Sequence, residues 1–185
     1  MKRGRVLAAA AVIAMTFTVP LSVYANGPGV ARGEAHSTEA AVPESTAQAE
    51  LTREERISKR IGELINEKRT GEGRPVLAFR SELAESAVVR AGELPQKASH
   101  ERPDGSRYLT AVNLAYNQIG ENFAYANTPG MTEEEIAVFF VTAWMNSPVH
   151  HDNILKNDWT ETGIGVHIQG DTVYAIQLFM EATSN

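Results

Sequence analysis

Two apolar runs near the C-terminus constrain the fold more than any other feature. Thr162 to Gln169 and Thr172 to Met180 are separated only by Gly170-Asp171, a connection of the kind that closes a tight antiparallel hairpin. With Gln169 opposite Thr172, Gly163 and Gly165 fall opposite Leu178 and Ile176, while Ile164 and Val166 fall opposite Gln177 and Ala175. Side chains alternate between the faces of a strand, so both faces of this hairpin carry apolar surface. A sheet of that kind needs cover on both sides. The expected fold class is α/β, a three-layer α/β/α sandwich around a small, mainly antiparallel sheet.

The sequence contains helices to supply the cover. Thr52-Arg53-Glu54-Glu55 and Thr132-Glu133-Glu134-Glu135 both fit the capping box, in which hydroxyl and carboxylate satisfy backbone donors at a helix start. The first precedes Ile57, Ile61, Leu64 and Ile65, which form one stripe ending near Lys68, before Gly71 and Gly73. The second precedes Ile136, Phe139, Phe140, Ala143 and Trp144, the clearest helical pattern in the chain. Its acidic start complements the helix dipole and is not read as a metal cluster. Between them, the short apolar piece Val76 to Phe79 leads to Ser81, a capping candidate for a helix from Glu82 to about Leu94, which Pro95 stops. Lys97 to Ala115 lacks periodicity, contains the turn Pro103-Asp104-Gly105, and reads as a loop or short helix carrying His100. Gln118 to Ala126 alternates as a strand, with Ile119, Glu121, Phe123 and Tyr125 on one side. Ser147-Pro148 starts a short helix to Leu155, with Ser147 as cap and Pro148 at the first helical position.

The N-terminal quarter is different. Lys2, Arg3 and Arg5 precede the apolar run Val6 to Met15, and Val23-Tyr24-Ala25 supplies small residues at the cleavage positions, so residues 1–25 are expected to be a secretory signal peptide. Residues 26–51 contain almost no large apolar side chain and are expected to be a flexible linker. His36, within it, is not expected to be a ligand. Loss of Lys2, Arg3 and Arg5 takes the formal charge from −6 to −9, which argues against nucleic acid and anionic headgroups as generic partners. No later apolar stretch is long enough for a membrane span. The absence of cysteine excludes disulfides, thiol catalysis and thiolate metal sites.

The candidate site is the set His100, Glu121 and His150. Two imidazoles and a carboxylate suit a borderline divalent ion such as zinc, or a ligand bound without metal. His150 and His151 open a helix whose positive dipole end disfavours imidazolium, so the pair should be biased toward the neutral form. Only one of two adjacent helical residues can point squarely into the same cleft. His167, opposite Tyr174, is expected to pack on that ring. Glu121 has an alternative structural role, accepting from backbone amides of a neighbouring loop. There is no His-Glu-x-x-His, phosphate-cradling glycine loop, Gly-x-Ser-x-Gly elbow or dinucleotide fingerprint.

Ser99-His100 with Pro103-Asp104-Gly105, Gly120-Glu121-Asn122-Phe123-Ala124, Trp144 to His150 with Asn153-Ile154-Leu155, and Gly163-Ile164-Gly165-Val166 resemble, in order, the motif series of the CAP superfamily. That superfamily comprises cysteine-rich secretory, antigen 5 and pathogenesis-related proteins, and the chain is similar to its bacterial secreted SCP-domain branch. The resemblance implies a CAP/SCP-like domain over residues 52–183 and the same α/β/α sandwich. It also implies that His100 and His150 are cleft histidines able to bind a divalent ion, and that Glu121 is the cleft glutamate. The family's second cleft glutamate falls on Ser147, which shrinks the charged set to three.

The expected function is therefore a secreted domain whose cleft (His100, Glu121, His150 and Ser147) binds a divalent metal and an unidentified small hydrophobic or cell-envelope ligand. It is more a binder than a conventional enzyme. Two alternatives stand beside it: a metal-assisted hydrolase of envelope peptides or glycans with Glu121 as general base, and a structural envelope or spore-layer protein.

Overall fold

The computed structural model describes residues 50–183. The leader at 1–25 and the linker up to residue 49 lie outside the described residues. Element order is α1 (Arg53–Gly71), β1 (Ala78–Phe79), α2 (Ser81–Glu93), a 3-10 turn (Tyr108–Ala111), β2 (Tyr116–Asn127), α3 (Glu133–Met145), α4 (Pro148–Leu155), β3 (Glu161–Gln169) and β4 (Thr172–Ala182). Both capping boxes form, at Thr52 and Thr132, with reciprocal side-chain and backbone bonds. The other two expected caps do not. Ser81 lies inside α2, whose cap position is Arg80 with no side-chain cap bond, and Ser147 stands at the α4 cap position, where its carbonyl accepts from His151 N–H at 2.8 Å but its hydroxyl makes no cap bond.

The sheet has the order β1-β3-β4-β2. β4 pairs antiparallel with both β2 and β3, and the hairpin register places Gly163 opposite Leu178 and Gly165 opposite Ile176, as the turn length requires. Gly170 turns the chain with φ +60°, a conformation open to glycine at no steric cost. The sheet is mixed, because the two-residue β1 runs parallel to β3.

Each face of the sheet has its own core. On one side Ile164, Val166, Val173, Ala175 and Phe179 pack with α1, α3 and α4 through Ile57, Ile61, Ile65, Phe140, Trp144 and Ile154. On the other, Phe123, Ile176, Leu178 and Met180 pack under Leu83, Ala87 and Ala91 of α2. The α/β/α sandwich is thus the observed architecture. Gly163 and Gly165 account for the closeness of α2: a Cβ there would sit 2.3 Å from Ala84 N and 2.1 Å from the Ala87 carbonyl carbon. Among the described residues no helix is long and apolar enough to cross a membrane.

Candidate functional site

The site forms along β2, an edge strand of the sheet. In Gly120-Glu121-Asn122 each residue has a separate task. A Cβ on Gly120 would come 2.9 Å from the Trp159 ring, so glycine lets that ring lie against the strand. Glu121 points to the α2 side, where its carboxylate is fully buried. Asn122 points to the opposite side and is itself fully buried. Its Nδ2 donates to the His150 carbonyl at 3.1 Å and its Oδ1 accepts from Asn153 Nδ2 at 2.9 Å. Asn153 in turn accepts from Trp159 Nε1 at 2.9 Å through its carbonyl. Consecutive residues of one strand thus serve opposite layers, because their side chains alternate.

His100 meets Glu121 directly, with Nδ1 2.8 Å from Oε1. Its ring packs edge-on against Phe123 at 4.8 Å and Tyr108 at 5.9 Å. The other partner of Glu121 is Arg90, fully buried on α2, whose Nε donates to Oε2 at 2.8 Å and whose Nη2 lies 3.3 Å from Oε1. Burial alone would lower the Arg90 pKa, but the hydrogen bonds it donates to Glu121 and Glu93 outweigh it and raise it. Arg90 Nη2 also donates to the Ser99 carbonyl at 2.8 Å, so one guanidinium fixes both the carboxylate and the backbone before His100. Arg102 holds the far side of the loop through Glu93, at 2.9 and 2.6 Å. Burial would raise the Glu93 carboxyl, yet hydrogen bonds from Arg102 and Arg90 hold it below the ordinary carboxylate range.

Of the adjacent histidines, His150 is buried, while His151 is half-exposed with Nδ1 3.3 Å from Asp152 Oδ1. Burial first, and then the charge of nearby His100, lower the His150 pKa from 6.5. The expected direction is the same, but desolvation causes it and not the helix dipole. Ser147 is half-buried at the start of the same helix. Among the described residues no group of three or more His, Cys, Asp or Glu is arranged to hold a metal ion. Glu121 is turned to Arg90 and His100, and the donors left are two imidazoles, fewer than the three protein ligands of a catalytic zinc centre.

Sequence reading missed Arg90 and Asn122. Arg90 had a visible signal: it stands on the buried stripe Leu83, Ala87, Arg90, Ala91 of α2, and a charge in an apolar stripe demands a buried partner. Glu121 accepts from Arg90 and meets His100; the expected alternative of loop amides is not the arrangement found.

The model of the CAP family, described as the cysteine-rich secretory protein family, matches residues 63–180. The uncharacterized protein YkwD of Bacillus subtilis is 30% identical over 124 residues, which cover 64% of this chain and 45% of that protein. The chain thus spans under half of that relative's length. An extracellular SCP-domain protein of Bacillus anthracis superposes with TM-score 0.54 at 23% identity, over 77% of this chain and 45% of that one. An outer surface protein of Borrelia burgdorferi does so with TM-score 0.58 at 20% identity, over 69% and 93%.

Proposed function

The chain belongs to the CAP family of cysteine-rich secretory proteins, and we propose that it is an exported binding domain. Its cleft, built from His100, Glu121, His150 and Ser147, takes a divalent metal ion together with a small hydrophobic or cell-envelope ligand. The observation that carries this reading is the double engagement of Glu121, by Arg90 across both oxygens and by His100 Nδ1 on Oε1. A carboxylate behind an imidazole orients the ring and leaves Nε2 for an outside partner. His150 supplies a second imidazole held neutral by burial, the form that coordinates.

When bound, an ion held by two imidazoles would leave its remaining coordination positions to water or the ligand. His100 and His150 would hold it, and Ser147 would offer a hydroxyl to whatever shares the cleft. The same geometry weighs against Glu121 as a general base. A carboxylate paired with a buried guanidinium is stabilised in its charged form and gains little by taking a proton. Export is supported by the leader-like N-terminus and by the extracellular and outer-surface locations in the descriptions of the two structural relatives.

The test is zinc titration of the chelator-stripped full chain by calorimetry. One ion per chain is expected, lost in the His100→Ala/His150→Ala double variant and weakened about 10- to 100-fold by Glu121→Gln. Absence of uptake by the unmodified chain, or undiminished uptake by the double variant, overturns the metal reading.

A further inference from the structure

A second surface lies on the same face of the sheet, past the end of α2. That helix runs alongside β3, with its Leu83-Ala84 turn against Gly163 and its Ala87-Val88 turn against Gly165. Four helical residues advance about 6 Å and two strand residues about 6.6 Å, so the next turn arrives at His167 just where α2 ends, at Glu93. The row of cross-strand partners there is Tyr125, Tyr174 and His167. The two tyrosine rings stack with centroids 5.7 Å apart and planes 26° apart, and His167 lies 6.2 Å from Tyr174 at 37°. Three strands therefore contribute one continuous aromatic ledge. Beside it, Pro95 and Gln96 from the helix end and Gln169 and Thr172 from the hairpin border an open cleft of about 770 Å³.

The polar groups of this cleft are unspent. The side chains of Gln96, His167, Gln169, Thr172, Tyr125 and Tyr174 make no hydrogen bond to any group among the described residues. Among the described residues lining the cleft none is Asp, Glu, Lys or Arg. An anion finds no lysine or arginine among them to meet it. A lipid tail finds an open, polar cleft in place of an enclosed apolar one.

We propose that this cleft is a binding site for a neutral pyranose glycan chain, separate from the histidine cleft and independent of any metal there. A pyranose ring offers a C–H face that packs on aromatic carbon and a rim of hydroxyls that each donate and accept. The Gln96 and Gln169 amides carry both functions, as do the Thr172 and tyrosine hydroxyls. The tyrosines combine a large apolar body with a polar tip, the property such a ligand matches.

The experiment is titration of the isotope-labelled full chain with chitotetraose and, in parallel, cellotetraose, followed by NMR. The two arms separate an N-acetylated from a plain glucan chain. Saturable shifts are expected at His167, Gln169 and Tyr174, with a dissociation constant of about 0.1–1 mM for at least one sugar, unchanged between about 0.05 and 0.5 M salt because no charge pair is involved. Tyr174→Ala should weaken binding about tenfold or more, whereas Tyr174→Phe, which keeps the ring, should stay within about threefold. If Tyr174→Ala does not fold, the exposed pair Gln96→Ala/Gln169→Ala decides, with a loss of about tenfold expected. No saturable shift with either sugar up to about 10 mM, shifts confined to the His100 region, or full affinity in the folded variants would overturn the proposal.

Discussion

Two rows of the same sheet face, one under α2 and one where that helix ends, have opposite characters. At Glu121 the charged core is sealed from water and closed on itself: Arg90 and Glu121 bond one another in full burial, and Glu93 and His100 join them from its margin. At Tyr174, two rows along β4, the polar side chains border solvent and bond nothing among the described residues. The difference follows from where the helix stops. Under α2 a charge persists only with a partner; past its end water satisfies the groups until a ligand displaces it. The first row is thus tied to the fold, whereas the exposed glutamines beside the second can be altered without disturbing it.

The largest break in that contrast should come from Arg90→Met, which leaves the Glu121 carboxylate buried without its cation. A loss of about 3–5 kcal/mol is expected, read by urea unfolding, and Arg90→Met/Glu121→Leu should recover much of it. A loss under about 1 kcal/mol in the single variant would show the pair to be less sealed than its geometry implies. Gly165→Ala, between the two rows, forces a Cβ into the Ala87 backbone and should cost about 1–3 kcal/mol by overpacking.

A smaller effect concerns pH. The folded His150 pKa lies below its ordinary 6.5, so the unfolded chain binds the proton more readily. Its stabilising contribution is complete above about pH 6.5 and is lost as pH falls from there toward the folded value. Unfolding midpoints in chelator-treated buffer should therefore drop across that window, and His150→Gln should flatten the drop. A midpoint that rises on acidification through this range contradicts the assignment. Smallest of all, Gln96→Ala and Gln169→Ala should change stability by no more than about 0.5 kcal/mol each, measured in the same unfolding experiments. A larger loss would move the second row into the structural class.

Much of the architecture was legible in the residues because it is set locally. The hairpin register follows from a two-residue turn, and the starts of α1 and α3 from side chains three positions apart. Periodicity alone marked the covering helices and therefore the sandwich. What could not be read depended on residues far apart in the chain. Ser147 and Ser81 had suitable chemistry for capping, yet the approach of each helix decided otherwise. The choice between His150 and His151 rested on which side of α4 faces β2. Arg90 and Glu121 are separated by 31 positions, and only α2 packing down on glycine backbone brings them together. Local hydrogen bonding and side-chain alternation thus fixed the elements from sequence. The tertiary structure alone decided which polar groups are cut off from water, because burial belongs to the assembled layers and not to any single segment.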